Sequence, residues 1–143
     1  MSIDGLTDMQ VKMILQRTKR IALVGASNKP ERDSYHVMKF LLTHGYSVVP
    51  VNPNLAGERL LGEKVVASLD EATPLDMVDL FRNAAEVGPL VIRAIELGAK
   101  TVWMQLGVVN EQAAIAARAA GLIVAMDRCP AIEIPRLGLA PAG

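Results

Sequence analysis

The chain has 143 residues, half of them apolar but only 3% aromatic, and its 15 basic and 15 acidic residues cancel to zero net charge. That length suits one domain, residues 1–143, with a core of Val, Ile, Leu, Ala and Met that needs no metal or disulfide. Balanced charge without a basic run argues against nucleic acid as a partner, and a lone cysteine excludes an internal disulfide. Met1-Ser2-Ile3-Asp4-Gly5 lacks the basic and apolar regions of a signal peptide, and no apolar stretch is long enough for a membrane. A reducing cytoplasm is the expected setting.

Thr7 and Gln10 make a capping-box start, after which Met9, Met13 and Ile14 follow helical spacing. This helix is expected to pack on the sheet or on a second subunit, which leaves room for a homodimer. Ile21 to Val24 reads as a strand buried on both faces. Ser34 to His44 reads as a helix with Val37, Met38, Leu41 and Leu42 inward and Gly45 as its stop. Tyr46 to Val51 is the next strand, closed by Asn52-Pro53-Asn54. Leu55 to Gly62 reads as a glycine-bearing loop and Lys64 to Ala67 as a short strand, and Ser68 caps a helical turn through Asp70-Glu71-Ala72. Met77 to Phe81 is a strand, Glu86 to Leu97 a helix stopped by Gly98, and Thr101 to Gln105 a strand. Asn110 is placed to cap an alanine-rich helix from Glu111 to Ala120. Gly121 ends that helix, and Leu122 to Met126 is the last core strand. The Gly/Pro/Ala tail, residues 137–143, is expected to fray.

Strictly alternating strands and helices imply right-handed crossovers and a Rossmann-like, doubly wound α/β fold. The expected sheet is parallel, with about five core strands in the order 3-2-1-4-5 and helices on both faces. Ligands of such sheets bind at the carboxyl ends of the strands. The loops there are Gly25–Ser34, Asn52–Gly62, Phe81–Ala85, Gln105–Asn110 and Asp127–Pro130.

Ile21 to Val24 stopping on Gly25, crossing Ala26-Ser27-Asn28-Lys29-Pro30 and entering a helix is a strand–loop–helix phosphate site. Gly25 permits a tight turn and close approach of a phosphate. Ser27, Asn28 and Ser34 offer short polar side chains, and Lys29 and Arg32 offer positive charge. The alternative is that Asp33 and Ser34 only cap the helix while Lys29 and Arg32 are solvated. The dinucleotide fingerprint is incomplete, because Gly25-Ala26-Ser27 holds one glycine where two are wanted and none opens the helix. Strand 2 ends in Val51-Asn52-Pro53-Asn54, without the acidic residue that accepts ribose hydrogen bonds from NAD. Amides with Arg59 nearby suit a phosphorylated sugar instead, as in NADP and coenzyme A.

Val24-Gly25-Ala26-Ser27, Pro30, Arg32, Ser34-Tyr35, Gly45-Tyr46, Val49-Pro50-Val51-Asn52-Pro53 and Trp103-Met104-Gln105-Leu106-Gly107 together form a broader pattern. With Ala120-Gly121 and Arg128-Cys129-Pro130, it resembles the stand-alone bacterial CoA-binding proteins from about Thr7 to Pro135. Those proteins share a fold with the N-terminal CoA-binding domain of the succinyl-CoA synthetase alpha subunit. The resemblance implies coenzyme A or an acyl-CoA as ligand, with its pyrophosphate near Gly25 to Lys29 and Arg32. It also implies ADP contacts from Val51, Asn52, Pro53 and Asn54, and walls from Phe81-Arg82 and Gln105-Leu106-Gly107. The synthetase has a glycine-richer loop and a phosphohistidine domain without a counterpart here, so ligase chemistry does not transfer.

Other chemistry finds little support. His36 reads as a partly exposed helical residue near the crevice, and His44 as a cation at a helix carboxyl end. Two histidines and one cysteine make a zinc site improbable. Asp76, Asp79 and Glu86 are explained as strand and helix borders, and Trp103 and Met104 as core. Gln105 enters the loop region, where its amide can meet a ligand. Cys129 reads chiefly as an inert thiol in a Cys-Pro turn, with a mixed disulfide to coenzyme A as the sharper alternative. The expected function is non-catalytic binding of coenzyme A or an acyl-CoA. The alternatives are a small NADP-dependent reductase and an interaction module that has lost its nucleotide site.

Overall fold

Five strands form one parallel sheet in the computed structural model, which describes residues 2–141. They are β1 (Arg20–Val24), β2 (Ser47–Val51), β5 (Met77–Leu80), β6 (Thr101–Met104) and β7 (Ile123–Ala125), ordered β2-β1-β5-β6-β7. The short strands β3 (Arg59–Leu60) and β4 (Glu63–Lys64) make a separate antiparallel hairpin. Each core strand alternates its side chains between two apolar layers: Ala22 and Val24 face one, Ile21 and Leu23 the other. Helices α3 (Val87–Glu96) and α4 (Glu111–Ala119) cover the first layer. Helices α1 (Asp8–Arg17), α2 (Asp33–Thr43) and α5 (Pro130–Arg136) cover the second. This is the expected doubly wound α/β architecture, and no helix among the described residues is long and apolar enough to cross a membrane.

The strand order differs from the expected 3-2-1-4-5. Counting core strands along the chain, it is 2-1-3-4-5, because Met77–Leu80 pairs with β1 on the side away from β2. Among the described residues, the outer edge of β2 meets only an isolated bridge from Val66 to Val51. There Val66 donates to the Pro50 carbonyl and accepts from Asn52, at 3.0 and 2.9 Å. Pro50 has no N–H to extend that ladder, so the segment at residues 64–67 stops short of a sheet strand.

Local signals explain most boundaries. The capping box on α1 is complete, with Gln10 N donating to Thr7 Oγ1 at 3.2 Å and Thr7 N to Gln10 Oε1 at 2.8 Å. Its inward face is Val11, Ile14 and Leu15, whereas Met9 and Met13 lie exposed on the opposite side. Gly45, Gly98 and Gly121 follow their helices at φ 99°, 82° and 90°.

The last helix and the tail depart from expectation. Cys129-Pro130 reads as a turn, yet Pro130 occupies the first helical turn, where a missing N–H costs nothing. Ion pairs then hold α5 in place. The buried Arg128 guanidinium donates to Asp4 at 2.6 Å and to Glu133 at 2.5 Å, and Arg136 bridges Glu133 and Asp8 at 2.8 and 2.9 Å. Arg128 also reaches Ser2 Oγ and the Leu6 carbonyl, joining the first residues to the end of β7. Of the segment expected to fray, Leu137 and Leu139 pack on the second layer, and His44 Nε2 lies 3.0 Å from the Ala140 carbonyl. Ala142 and Gly143 lie outside the described residues.

Candidate nucleotide-binding cleft

Because β1 sits between β2 and β5, the chain leaves it toward one side and later returns on the other. That is the topological switch point, where loops part and leave a crevice. A cleft of about 740 Å³ lies there, framed by the loops after β1, β2 and β5. The first loop contributes Gly25, Ala26, Ser27, Asn28, Lys29 and Arg32, the start of α2 contributes Asp33 and Ser34, and the other two loops add Asn52, Asn54, Leu55, Phe81 and Arg82.

Gly25 is required by its surroundings. Its φ is 88°, and a Cβ there would overlap the Phe81 carbonyl oxygen and lie 3.0 Å from the carbonyl carbon. No other residue type fits this crossing of β1 and the loop after β5. Gly25 N and Ala26 N both donate to the Val51 carbonyl, at 3.0 and 3.3 Å, which holds the loop on β2. Beyond them the N–H groups of Ser27, Asn28, Asp33 and Ser34 make no hydrogen bond among the described residues. Ser27 Oγ instead accepts from Lys29 N at 3.1 Å, folding the loop so that those donors stand around the helix start. Free N–H groups, a helix N-terminus and the cations Lys29, Arg32 and Arg82 make this end of the cleft suited to an anion. Arg82 is steered by Glu86, to which its Nε donates at 2.8 Å.

Asn52 has a role that sequence reading did not assign. Its Nδ2 donates to the Ala26 carbonyl at 2.8 Å, and its Oδ1 accepts from Asn54 N at the same distance. One amide therefore braces the phosphate loop against the turn after β2.

Several expected site residues stand elsewhere. Val51 and Pro53 line a neighbouring cavity of about 300 Å³ on the α3 side, which shares Arg82 with the cleft. Arg59 belongs to the β3–β4 hairpin and donates to the Gly62 carbonyl, outside the cleft wall. Gly107 N donates to Asp127 Oδ1 at 2.8 Å. Leu106 and Gln105 line a side cavity of about 230 Å³ between α2 and α5, together with His36, Cys129 and Ile132.

Residues 19–135 match the CoA binding domain family, most of the chain. The chain belongs to that family. This CoA-binding domain is 40% identical over 121 residues to the uncharacterized protein YneT of Bacillus subtilis, covering 84% of this chain and 88% of that one. It is also similar to the solved structure of a hypothetical protein from Pyrococcus horikoshii, with 48% identity, 96% of both chains covered and a TM-score of 0.90. A dinucleotide-forming acetyl-coenzyme A synthetase of Candidatus Korarchaeum cryptofilum shares the fold alone. It is 22% identical at a TM-score of 0.66, and the match covers 79% of this chain but 26% of that one.

Two features of the CoA-binding domain escaped sequence reading. Asp79, expected at a strand border, sits mid-strand in β5 with no solvent exposure, and burial pushes its carboxyl well above the ordinary range. Its side chain lies against the Gln105 amide, whose nitrogen, in the orientation that satisfies both groups, donates to the two Asp79 oxygens at 2.8 and 3.2 Å. Gln105 is thus held from below rather than turned freely to a ligand. Asp76, in contrast, is a border residue as expected, accepting from Lys19 N and Arg20 N. Trp103 and Met104 are core, with Trp103 Nε1 donating to the Arg128 carbonyl at 2.9 Å. Cys129 is a buried thiol on the wall of the side cavity.

Proposed function

We propose that this protein binds coenzyme A or its acyl thioesters in the cytoplasm, without transforming them. The observation that carries the reading is the contact of Gly25 with the Phe81 backbone, beside unused N–H groups at the start of α2. A diphosphate accepts from those donors, and Lys29 and Arg32 balance its charge. The adenosine then lies toward β2, where Asn54 borders the cleft and Val51, Pro53 and Leu90 give the adjoining cavity apolar walls. No carboxylate stands at Val51 to Asn54 to select an unphosphorylated ribose, which favours a sugar carrying a phosphate. Membership of the CoA-binding domain family supports coenzyme A over NADP as that molecule.

Titration calorimetry with coenzyme A, NADP and ADP tests this. Coenzyme A is expected to bind most tightly, with ADP weaker. Tighter binding of NADP would replace the reading with that of a reductase, and silence with all three would remove it.

A further inference from the structure

The cleft continues past Phe81. Asp33 and Phe81, which border it, also form one side of the cavity between α2 and α5, whose other walls include Val37, Leu106, Cys129 and Ile132. Leu106, Cys129 and Ile132 in turn border a further hollow of about 340 Å³ that reaches Ile3. These spaces adjoin one another across shared residues and form a tract whose character changes along its length. Cations and free N–H groups occupy the phosphate end, apolar side chains dominate the walls of the cavity between α2 and α5, and the far hollow mixes Ile3, Leu106 and Ile132 with Ser2, Asp127, Arg128 and Glu133. Leu106, Ile132 and Ile3 are 56%, 52% and 56% exposed. Isolated exposed apolar residues are ordinary on a protein surface, but these three meet around one hollow that adjoins the cavity between α2 and α5.

We propose that the preferred ligand is a coenzyme A thioester with an uncharged aliphatic acyl chain, and that the chain lies in this tract against Val37, Leu106 and Ile132. The inference rests on the coenzyme A reading above and names the class of thioester. The geometry gives the direction. With the adenosine toward β2, the other arm of the diphosphate leaves toward β5 and β6, where the tract begins. Charge gives the selectivity. Asp33 stands at the entrance, and Arg128, the cation bordering the far hollow, is already committed to Asp4 and Glu133. In the far hollow a chain ending in a carboxylate therefore meets Asp127 and Glu133, with no uncommitted cation among the lining residues.

A fully buried methylene tightens binding about fourfold, so a half-covered one contributes about twofold. Six additional methylenes, octanoyl against acetyl, then amount to roughly 60-fold. Calorimetry on the full chain with coenzyme A, acetyl-, octanoyl- and succinyl-coenzyme A reads this directly. Octanoyl-coenzyme A is expected to bind at least about tenfold more tightly than acetyl-coenzyme A, with succinyl-coenzyme A no tighter than acetyl. Ile132→Asp, on the half-exposed face of α5, is expected to abolish the chain-length gain while leaving free coenzyme A binding within about twofold. Equal affinity for acetyl and octanoyl thioesters, with coenzyme A still bound, overturns this inference and spares the coenzyme A site. A chain-length gain that survives in folded Ile132→Asp overturns the placement, and absence of binding by every thioester and by coenzyme A overturns the site itself. The wild-type chain-length series stands whether or not the variant folds.

Discussion

Replacing Gly25 by alanine separates two costs that glycine ordinarily hides together. At φ 88° a side chain pays for left-handed backbone, about 1 kcal/mol. At Gly25 the new carbon also overlaps the Phe81 carbonyl, and that stretch cannot simply retreat because Phe81 N donates to Val24 O at 2.8 Å. Forcing a methyl into such a contact costs about 1–3 kcal/mol more. Gly121 supplies the control: its φ is 90°, but an added Cβ meets nothing within 4 Å. Urea denaturation is therefore expected to show Gly25→Ala losing about 3 kcal/mol and Gly121→Ala about 1 kcal/mol. Coenzyme A affinity is expected to fall at least about tenfold in Gly25→Ala and to stay unchanged in Gly121→Ala, since the first displaces the phosphate loop. Equal losses of stability in the two variants would refute the idea that close approach, rather than dihedral angle, fixes Gly25.

Other variants probe the charges. Ser27→Glu sets a carboxylate among the free N–H groups of the loop and is expected to weaken coenzyme A binding at least about tenfold by calorimetry, through repulsion of the diphosphate. Burial pushes the Asp4 carboxyl up, but the Arg128 guanidinium and the N–H groups of Leu6 and Met126 outweigh it and bring its pKa to about 2. A depressed carboxyl stabilises the fold above its ordinary 3.8 and loses that effect as pH falls through about 2, on the order of 2 kcal/mol. Asp4→Asn should flatten that acid limb of a urea-denaturation pH series; an unchanged limb would assign it to other groups. Asp79 acts in the opposite sense: its raised pKa gives relative stability at low pH that is lost as pH rises above about 4. Asp79→Asn is expected to match the wild type near pH 4 and to exceed it in stability near pH 8, and a deficit at both pH values would show that burial of this acid is not the cause.

The core was legible because a parallel sheet covered on both faces writes its strands as unbroken apolar runs, such as Ile21 to Val24 and Met77 to Leu80. Helix ends were legible through Thr7, Asn110 and the glycines that follow α2, α3 and α4, which act locally. Strand order was not, since it depends on which edge of the β1–β2 pair the later strand joins and on Pro50 limiting the outer edge of β2. The hairpin of β3 and β4 escaped because two-residue strands show no period. Helix α5 escaped because Asp4 and Asp8, distant in sequence, pair with Arg128 and Arg136 and hold a segment that its prolines disfavour. The cleft was visible in Gly25 to Ser34, but the division of labour within it was not. Nothing near Asn52 indicates that its amide is engaged with Ala26, or that Arg59 belongs to a hairpin outside the cleft wall.

The brace at Asn52 bears on how a ligand arrives. With one amide fastening two loops to each other, the entropy of arranging them is spent when the chain folds rather than when a guest enters. Capture at this pocket then needs no closing gate, and its speed is set by encounter and by the pull of Lys29 and Arg32 on an approaching anion.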